Sequence, residues 1–258
     1  MEKMGDTKRA MIFAAGIGSR LRPITDTMPK ALVPVGGVPM LQSRLLRLKE
    51  AGFDDVTINI HHFGQLIIDF LQQNDNFGMD IHISDERDEL LDTGGGIMKA
   101  RPFLEGDAPF LVHNVDILSN IDLRQVYDSH VQSGADATLL VSDRTTNRKL
   151  LFDKEMRLHG WKNHTTGEVL PEGFTEDGQL HRELAFEGIH VISPTLFKYM
   201  GEGTQWKGKF SIIPFYLSVC QQLHLRGYEL KDITWFDIGK PETLEKANNY
   251  YKGNAICD

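Results

Sequence analysis

The chain has 258 residues, 41% of them hydrophobic and 25% charged, with a formal net charge of −8 at pH 7. That length and balance suit one large domain able to bury a full core, and no apolar run approaches the length of a membrane span. The acidic balance excludes a broad nucleic-acid surface, so an anionic ligand would need positive potential supplied locally. The two cysteines, Cys220 in an apolar helical stretch and Cys257 in the terminal tail, do not suggest a disulfide framework. The opening residues, MEKMGDTKRA, lack the apolar core of a signal peptide, and a cytoplasmic location is expected.

The first predicted strand, residues 11–14, runs into a glycine loop. Residues 13–41 read FAAGIGSRLRPITDTMPKALVPVGGVPML. The small residues Ala14, Ala15, Gly16 and Gly18 leave the backbone bare, so that phosphate oxygens can approach main-chain N–H groups. Arg20 and Lys30 then supply two cations, and the combination describes a polyphosphate site. The dinucleotide-binding fingerprint would need a third glycine where Leu21 stands, and the Gly-Lys-Ser/Thr of a P-loop is absent.

Further strands are predicted at 56–60, 81–84, 110–112 and 137–141, and helices at 39–51, 64–73, 95–103 and 122–133. The first helix has Pro39 near its start and Gly52 just past its end; Asp122 is the expected N-cap of the last. Alternation of this kind implies right-handed crossovers and a three-layer α/β fold with a mostly parallel sheet. The pattern changes after Arg144. A hairpin is predicted over 149–161, followed by a polar segment at 164–179 and an apolar strand at 185–192. Helices are expected at 194–200, 211–225 and 241–251, with a strand at 233–236.

The string Gly-x-Gly-x-Arg ending at Arg20, followed by Pro23, Pro29-Lys30, Pro34, Gly37 and Pro39, resembles the signature of the sugar-phosphate nucleotidyltransferases. Members of that family join a nucleoside triphosphate to a sugar 1-phosphate and release pyrophosphate. The resemblance implies a Rossmann-like, mixed but mostly parallel sheet with a small embedded β-rich lobe. Within a single domain it implies a nucleotide-binding core at 8–142, a sugar-binding lobe at 143–192 and C-terminal helices at 193–258 completing the core and metal site. No hexapeptide-repeat extension is present in the sequence, so the transferase domain alone is expected.

By the same resemblance, Arg20 would hold the β- and γ-phosphates, and Lys30 would neutralise charge at the α-phosphate or the sugar phosphate. Attack by a phosphate oxygen needs no general base, so positioning, cations and Mg²⁺ should carry the catalysis. Asp116, at the strand end FLVHNVD, and Asp237, in TWFDIGKP, match the family's metal carboxylates. Val115 stands where the family usually has glycine, next to the metal and the substrate. Asn114 is a candidate contact to a sugar hydroxyl or acyl group.

The segment ERDELLDTGGGIMKA opens a helix with three glycines, and the resemblance assigns it to base recognition through Thr93, Gly94 and Gly95, with Glu86 at the base edge. Asn59 reads as a strand terminator. For the sugar phosphate, Lys162 in HGWKN and Glu187-Gly188 in AFEGIHV resemble the family's contacts. The spacing of His61, His62, His113 and His190 gives no zinc site.

Within the family, the Thr-Gly-Gly-Gly loop and compact length are most similar to members that use UTP and N-acetylmuramate 1-phosphate and serve cell-wall recycling. The alternatives are guanylyl transfer to heptose or mannose 1-phosphate, a more distant cytidylyl transfer to phosphocholine, or a non-catalytic nucleotide-sugar sensor on the same fold. The expected partners are a nucleoside triphosphate and a sugar 1-phosphate, with no nucleic acid and no membrane, in a monomer or small homo-oligomer.

Overall fold

Strand β1 (Lys8–Phe13) lies inside a ten-stranded sheet, with β-strands hydrogen-bonded on both of its sides. Its side chains alternate, so that Ala10 and Ile12 enter one hydrophobic core and Met11 enters the other. The computed structural model describes residues 7–174 and 182–252. Cys257 and the 175–179 end of the expected polar segment lie outside the described residues.

After β1 come the short hairpin strands β2 (Pro34–Val35) and β3 (Val38–Pro39), then α1 (Met40–Glu50) and β4 (Phe53–Ile60). Next are α2 (Gly64–Gln73), β5 (Asp80–Asp85), α3 (Asp92–Leu104), β6 (Phe110–Asn114) and β7 (Ile117–Ser119). The chain continues through α4 (Leu123–Ser133), β8 (Ala137–Ser142), β9 (Arg148–Phe152), β10 (Leu158–Asn163) and β11 (Val169–Leu170). It ends with β12 (Arg182–Ile192), α5 (Ile212–Val219), β13 (Leu225–Glu229), β14 (Trp235–Asp237) and α6 (Pro241–Tyr251).

Strands β6, β1, β4 and β5 are neighbours in parallel, which is the half of the sheet that strand–helix alternation predicts. Beyond β6 the sheet becomes mixed. β12 runs antiparallel to both β6 and β8, and β8 pairs in parallel with β13. β12 also carries the sheet onward through antiparallel β9, β10 and β11, so one strand serves the core at its end and the lobe at its start.

Local signals account for the helices beside this sheet. α1 buries Met40, Leu41, Leu45 and Leu48 along one stripe. α4 is capped by the Asp122 carboxylate, which accepts from the Gln125 amide at 2.9 Å, and closes on Gly134 in the left-handed region. Two expectations change. The helix expected over 211–225 stops at Val219, and Leu225 begins β13, whose Leu225 and Gly227 are buried against β8. The helix expected at 194–200 is a 3-10 helix over Pro194–Tyr199. Among the described residues no helix is long and apolar enough to cross a membrane.

Candidate active site

A cleft of about 460 Å³ opens at the C-terminal ends of β1, β4 and β6, where open α/β sheets build their sites. Its wall brings together ten of the residues singled out from the sequence: Ala14, Ala15, Gly16, Gly18, Arg20, Lys30, Glu86, Thr93, Asn114 and Asp116. Ile17, which is 43% exposed, and Lys209 also line it; neither stood out in the sequence.

The loop after β1 is held from beneath by Asn59, the last-but-one residue of β4. Its Oδ1 accepts from the Ala14 amide at 2.7 Å and the Ala15 amide at 3.2 Å. Its Nδ2 donates to Glu86 Oε1 at 2.8 Å, and Glu86 Oε2 accepts from the Leu91 amide at 3.0 Å. Asn59 is therefore more than a strand terminator: it ties the glycine loop to the segment before α3. The amides of Ala14 and Ala15 are turned to Asn59 rather than to the cleft. Each Glu86 oxygen likewise already has a donor.

The glycines differ in purpose. A β-carbon on Gly16 would meet nothing within 4 Å, so protein packing does not require a glycine at this point of the cleft wall. Gly18 has φ +69°, and a β-carbon there would stand 3.0 Å from both Lys30 Cβ and Thr25 Cγ2. Its absence lets the stem of Lys30 pack against the loop and delivers the ammonium to the cleft floor.

The charged end of the cleft is built from three segments. Lys30 Nζ donates to Asp116 Oδ2, and the two form an ion pair. β14 pairs antiparallel with β7, and the Ile238 amide donates to the Asp116 carbonyl at 2.9 Å, which sets Asp237 close to Asp116. The buried Arg44 donates to the Ile117 carbonyl at 3.0 Å, supporting the same turn. Asp237 Oδ1 is buried with no hydrogen-bond partner among the described residues. Burial, and then the neighbouring Asp116 carboxylate, push the Asp237 carboxyl above the usual carboxylate range, while Lys30, Arg20 and Arg144 act in the opposite direction. Arg20 reaches this end over Gly239, where a β-carbon would lie 2.8 Å from Arg20 Nη2 and 3.0 Å from Asp237 Oδ1. Val115 is buried in the core between these parts, its amide donating to the Phe13 carbonyl at 3.2 Å.

Asp237 is not among the residues that line the cleft, and five expected contact residues also lie off its wall. The amides of Gly94 and Gly95 both donate to the Phe210 carbonyl, at 2.9 and 3.1 Å, instead of facing a base. A β-carbon on Gly94 would sit 2.2 Å from the Phe210 ring, so this glycine serves close packing of α3 on the segment before α5. Glu187 and Gly188 fall where the register of β12 shifts against β8. That bulge turns the Glu187 carboxylate into the interior, fully buried, where it accepts from Ser142 Oγ at 2.5 Å and Arg144 Nε at 3.0 Å. Gly188, at φ +73°, backs onto the Asn114 amide. Lys162 lies on β10 and pairs with Glu183 at 3.5 Å.

A doubly wound sheet with a glycine-walled cleft, cations and paired carboxylates at its strand ends defines an enzyme that handles polyphosphates. The chain belongs to the nucleotidyl transferase family, whose profile matches residues 9–254. It is 45% identical over 246 residues to the N-acetylmuramate alpha-1-phosphate uridylyltransferase of Neisseria meningitidis, spanning 93% of this chain and 96% of that protein. It is 30% identical over 243 residues to the enzyme of the same name from Caulobacter vibrioides, spanning 91% of this chain and 93% of that one. Its fold superposes on that of an apo UDP-glucose pyrophosphorylase with a TM-score of 0.73, at 17% identity and over 96% of this chain and 98% of the other.

Proposed function

We propose that the protein transfers the uridylyl group of UTP to N-acetylmuramate 1-phosphate, releasing pyrophosphate and a nucleotide sugar. One observation carries the reaction class: the buried oxygen of Asp237, unpartnered among the described residues, stands with Asp116 near Lys30 and Arg20. The choice of substrates is supported by the 45% identity to a uridylyltransferase of that specificity along nearly its whole length.

The donor set suits Mg²⁺, which takes oxygen ligands and accepts one or two protein carboxylates beside substrate phosphates. Asp116 and Asp237 would hold it, and when bound it supplies positive charge that stabilises the reacting phosphates. Arg20 offers a planar fork for the β- and γ-phosphate oxygens, and Lys30 places a point charge on the floor. The attacking oxygen belongs to a phosphate that is already an anion, so no side chain has to take a proton. Gly16 leaves room for the phosphates, and Asn59 keeps the loop that carries them in register with the wall formed by Glu86 and Thr93. The local cluster of Arg20, Lys30 and Lys209 offsets the overall negative charge where two anions must meet.

The test is a matrix of the four nucleoside triphosphates against a panel of sugar 1-phosphates, read by pyrophosphate release. The highest kcat/KM is expected for UTP with N-acetylmuramate 1-phosphate. A clear preference for GTP with mannose or heptose 1-phosphate would overturn the substrate assignment. Nucleotide binding without turnover anywhere in the matrix would mark a sensor.

A further inference from the structure

A second cavity, of about 400 Å³, opens between the lobe sheet and the start of α5. Its floor is one face of three antiparallel strands. Leu150 pairs with Trp161, and Trp161 pairs with Leu170, so the three side chains project to the same side. Phe186 adds a further apolar wall, and Arg144 and Arg148 provide the only formal charges among the described residues that line it. The two arginines are not equivalent. Arg144 is compensated by the buried Glu187 carboxylate. The exposed guanidinium of Arg148 makes no ion pair or hydrogen bond with any described residue. The cavity therefore combines apolar surface with one cation that no described residue compensates.

Arg144 also connects this cavity to the charged end of the cleft. Its guanidinium carbon lies 4.6 Å from the centre of the Trp235 ring, two residues before Asp237, and its charge is felt at the Asp237 carboxyl. Arg144 thus lines this cavity and also stands beside the charged end of the cleft.

We propose that Arg148 recognises, in this second cavity, a carboxylate that the sugar acceptor carries on a short, partly apolar substituent. The inference rests on the uridylyl-transfer reading above and adds the feature by which the acceptor is chosen. A free guanidinium matches a carboxylate bidentately, and the Trp161 and Phe186 rings suit the carbon atoms that carry it. A hexose phosphate whose ring carries no further charged substituent would make no use of this cation.

The test uses the full chain, with Arg148→Gln and Arg148→Lys, and two acceptors that differ only in the lactyl ether: N-acetylmuramate 1-phosphate and N-acetylglucosamine 1-phosphate. Calorimetry gives acceptor binding independently of turnover, and UTP-dependent pyrophosphate release gives kcat/KM for each. Wild type is expected to favour the carboxylate-bearing acceptor. Arg148→Gln should shrink that preference about tenfold or more, as loss of a charge-assisted hydrogen bond does, and Arg148→Lys should restore part of it. An unchanged ratio in Arg148→Gln, or no preference in wild type, would overturn the assignment of Arg148. Arg148-dependent acceptor binding without transfer from UTP would instead overturn the transfer reading alone.

Discussion

Lys30 donates to Asp116 across the floor of the cleft, joining a loop residue to a strand-end residue 86 positions away. The pair lies next to Asp237, so one buried ammonium faces two partly buried carboxylates. Removing it should harm chemistry more than folding. Lys30→Ala is expected to lower kcat by about 10²–10³ while the circular dichroism spectrum and melting temperature stay close to wild type. Turnover within a few-fold of wild type would contradict a catalytic position for Lys30.

Arg20 depends on a missing side chain. Because a β-carbon on Gly239 would stand 2.8 Å from Arg20 Nη2 and 3.0 Å from Asp237 Oδ1, Gly239→Ala should displace the guanidinium and crowd the carboxylate without unfolding the protein. The expected result is a several-fold rise in KM for the nucleoside triphosphate with little change in thermal stability. Arg20→Ala should show the same rise, and the double variant should add little to either. An unchanged KM in Gly239→Ala would place Arg20 outside nucleotide binding.

Asn59 holds two segments with one amide group. Asn59→Ala leaves the buried amides of Ala14 and Ala15 without an acceptor and deprives Glu86 of a donor. Unsatisfied buried groups of this kind cost about 2–3 kcal/mol, which urea unfolding should register as a lower midpoint at unchanged slope. Stability equal to wild type would show that the network does not hold the loop.

Three buried imidazoles contribute to the loss of stability at acid pH. Burial, reinforced by the Arg44 charge, holds His113 at about 3; burial alone holds His190 at about 3. Burial and then the Arg226 charge hold His130 at about 4. These rings stay neutral in the folded protein, whereas in the unfolded chain they charge below about pH 6.5. The unfolded state then binds more protons, so stability should fall as pH drops from about 6.5 toward 4, by up to about 1.4 kcal/mol per pH unit for each ring. Below about pH 3 the folded rings also charge and this contribution levels off. His130→Gln, which loses the ring bonded to Thr138 and Ser193, should flatten the slope measured by urea unfolding between about pH 7 and about pH 5. A slope identical to wild type would contradict the assignment.

The parallel half of the sheet was legible because apolar runs such as FLVHNV alternate with capped amphipathic helices, and Asp116 could be placed by its position at the end of one of them. Lys30 and Arg20 were legible as types in a spaced string. What was hidden depended on contacts between distant segments. Nothing local to Gly94 says that the Phe210 carbonyl will take its amide, and although a glycine inside AFEGIHV is a bulge signal, nothing there says that the bulge turns Glu187 inward to Arg144. Asn59 looked like a strand end because its three partners come from two other segments. Strand β13 was missed because LRGYE is short and follows an apolar stretch that continues a helical period. The two-residue strands β2, β3 and β11 carry too few positions to show any period at all.

The most direct measurement mixes the purified chain with UTP, N-acetylmuramate 1-phosphate and Mg²⁺ and quantifies both products by mass spectrometry, for wild type and for the nearly isosteric Asp237→Asn, with and without a chelator. The expected result is nucleotide sugar and pyrophosphate in equal amounts from wild type, and neither product after chelation or in Asp237→Asn, with the variant folded as wild type. Undiminished product formation by Asp237→Asn, or in the presence of the chelator, would contradict the two-carboxylate site on which the account rests.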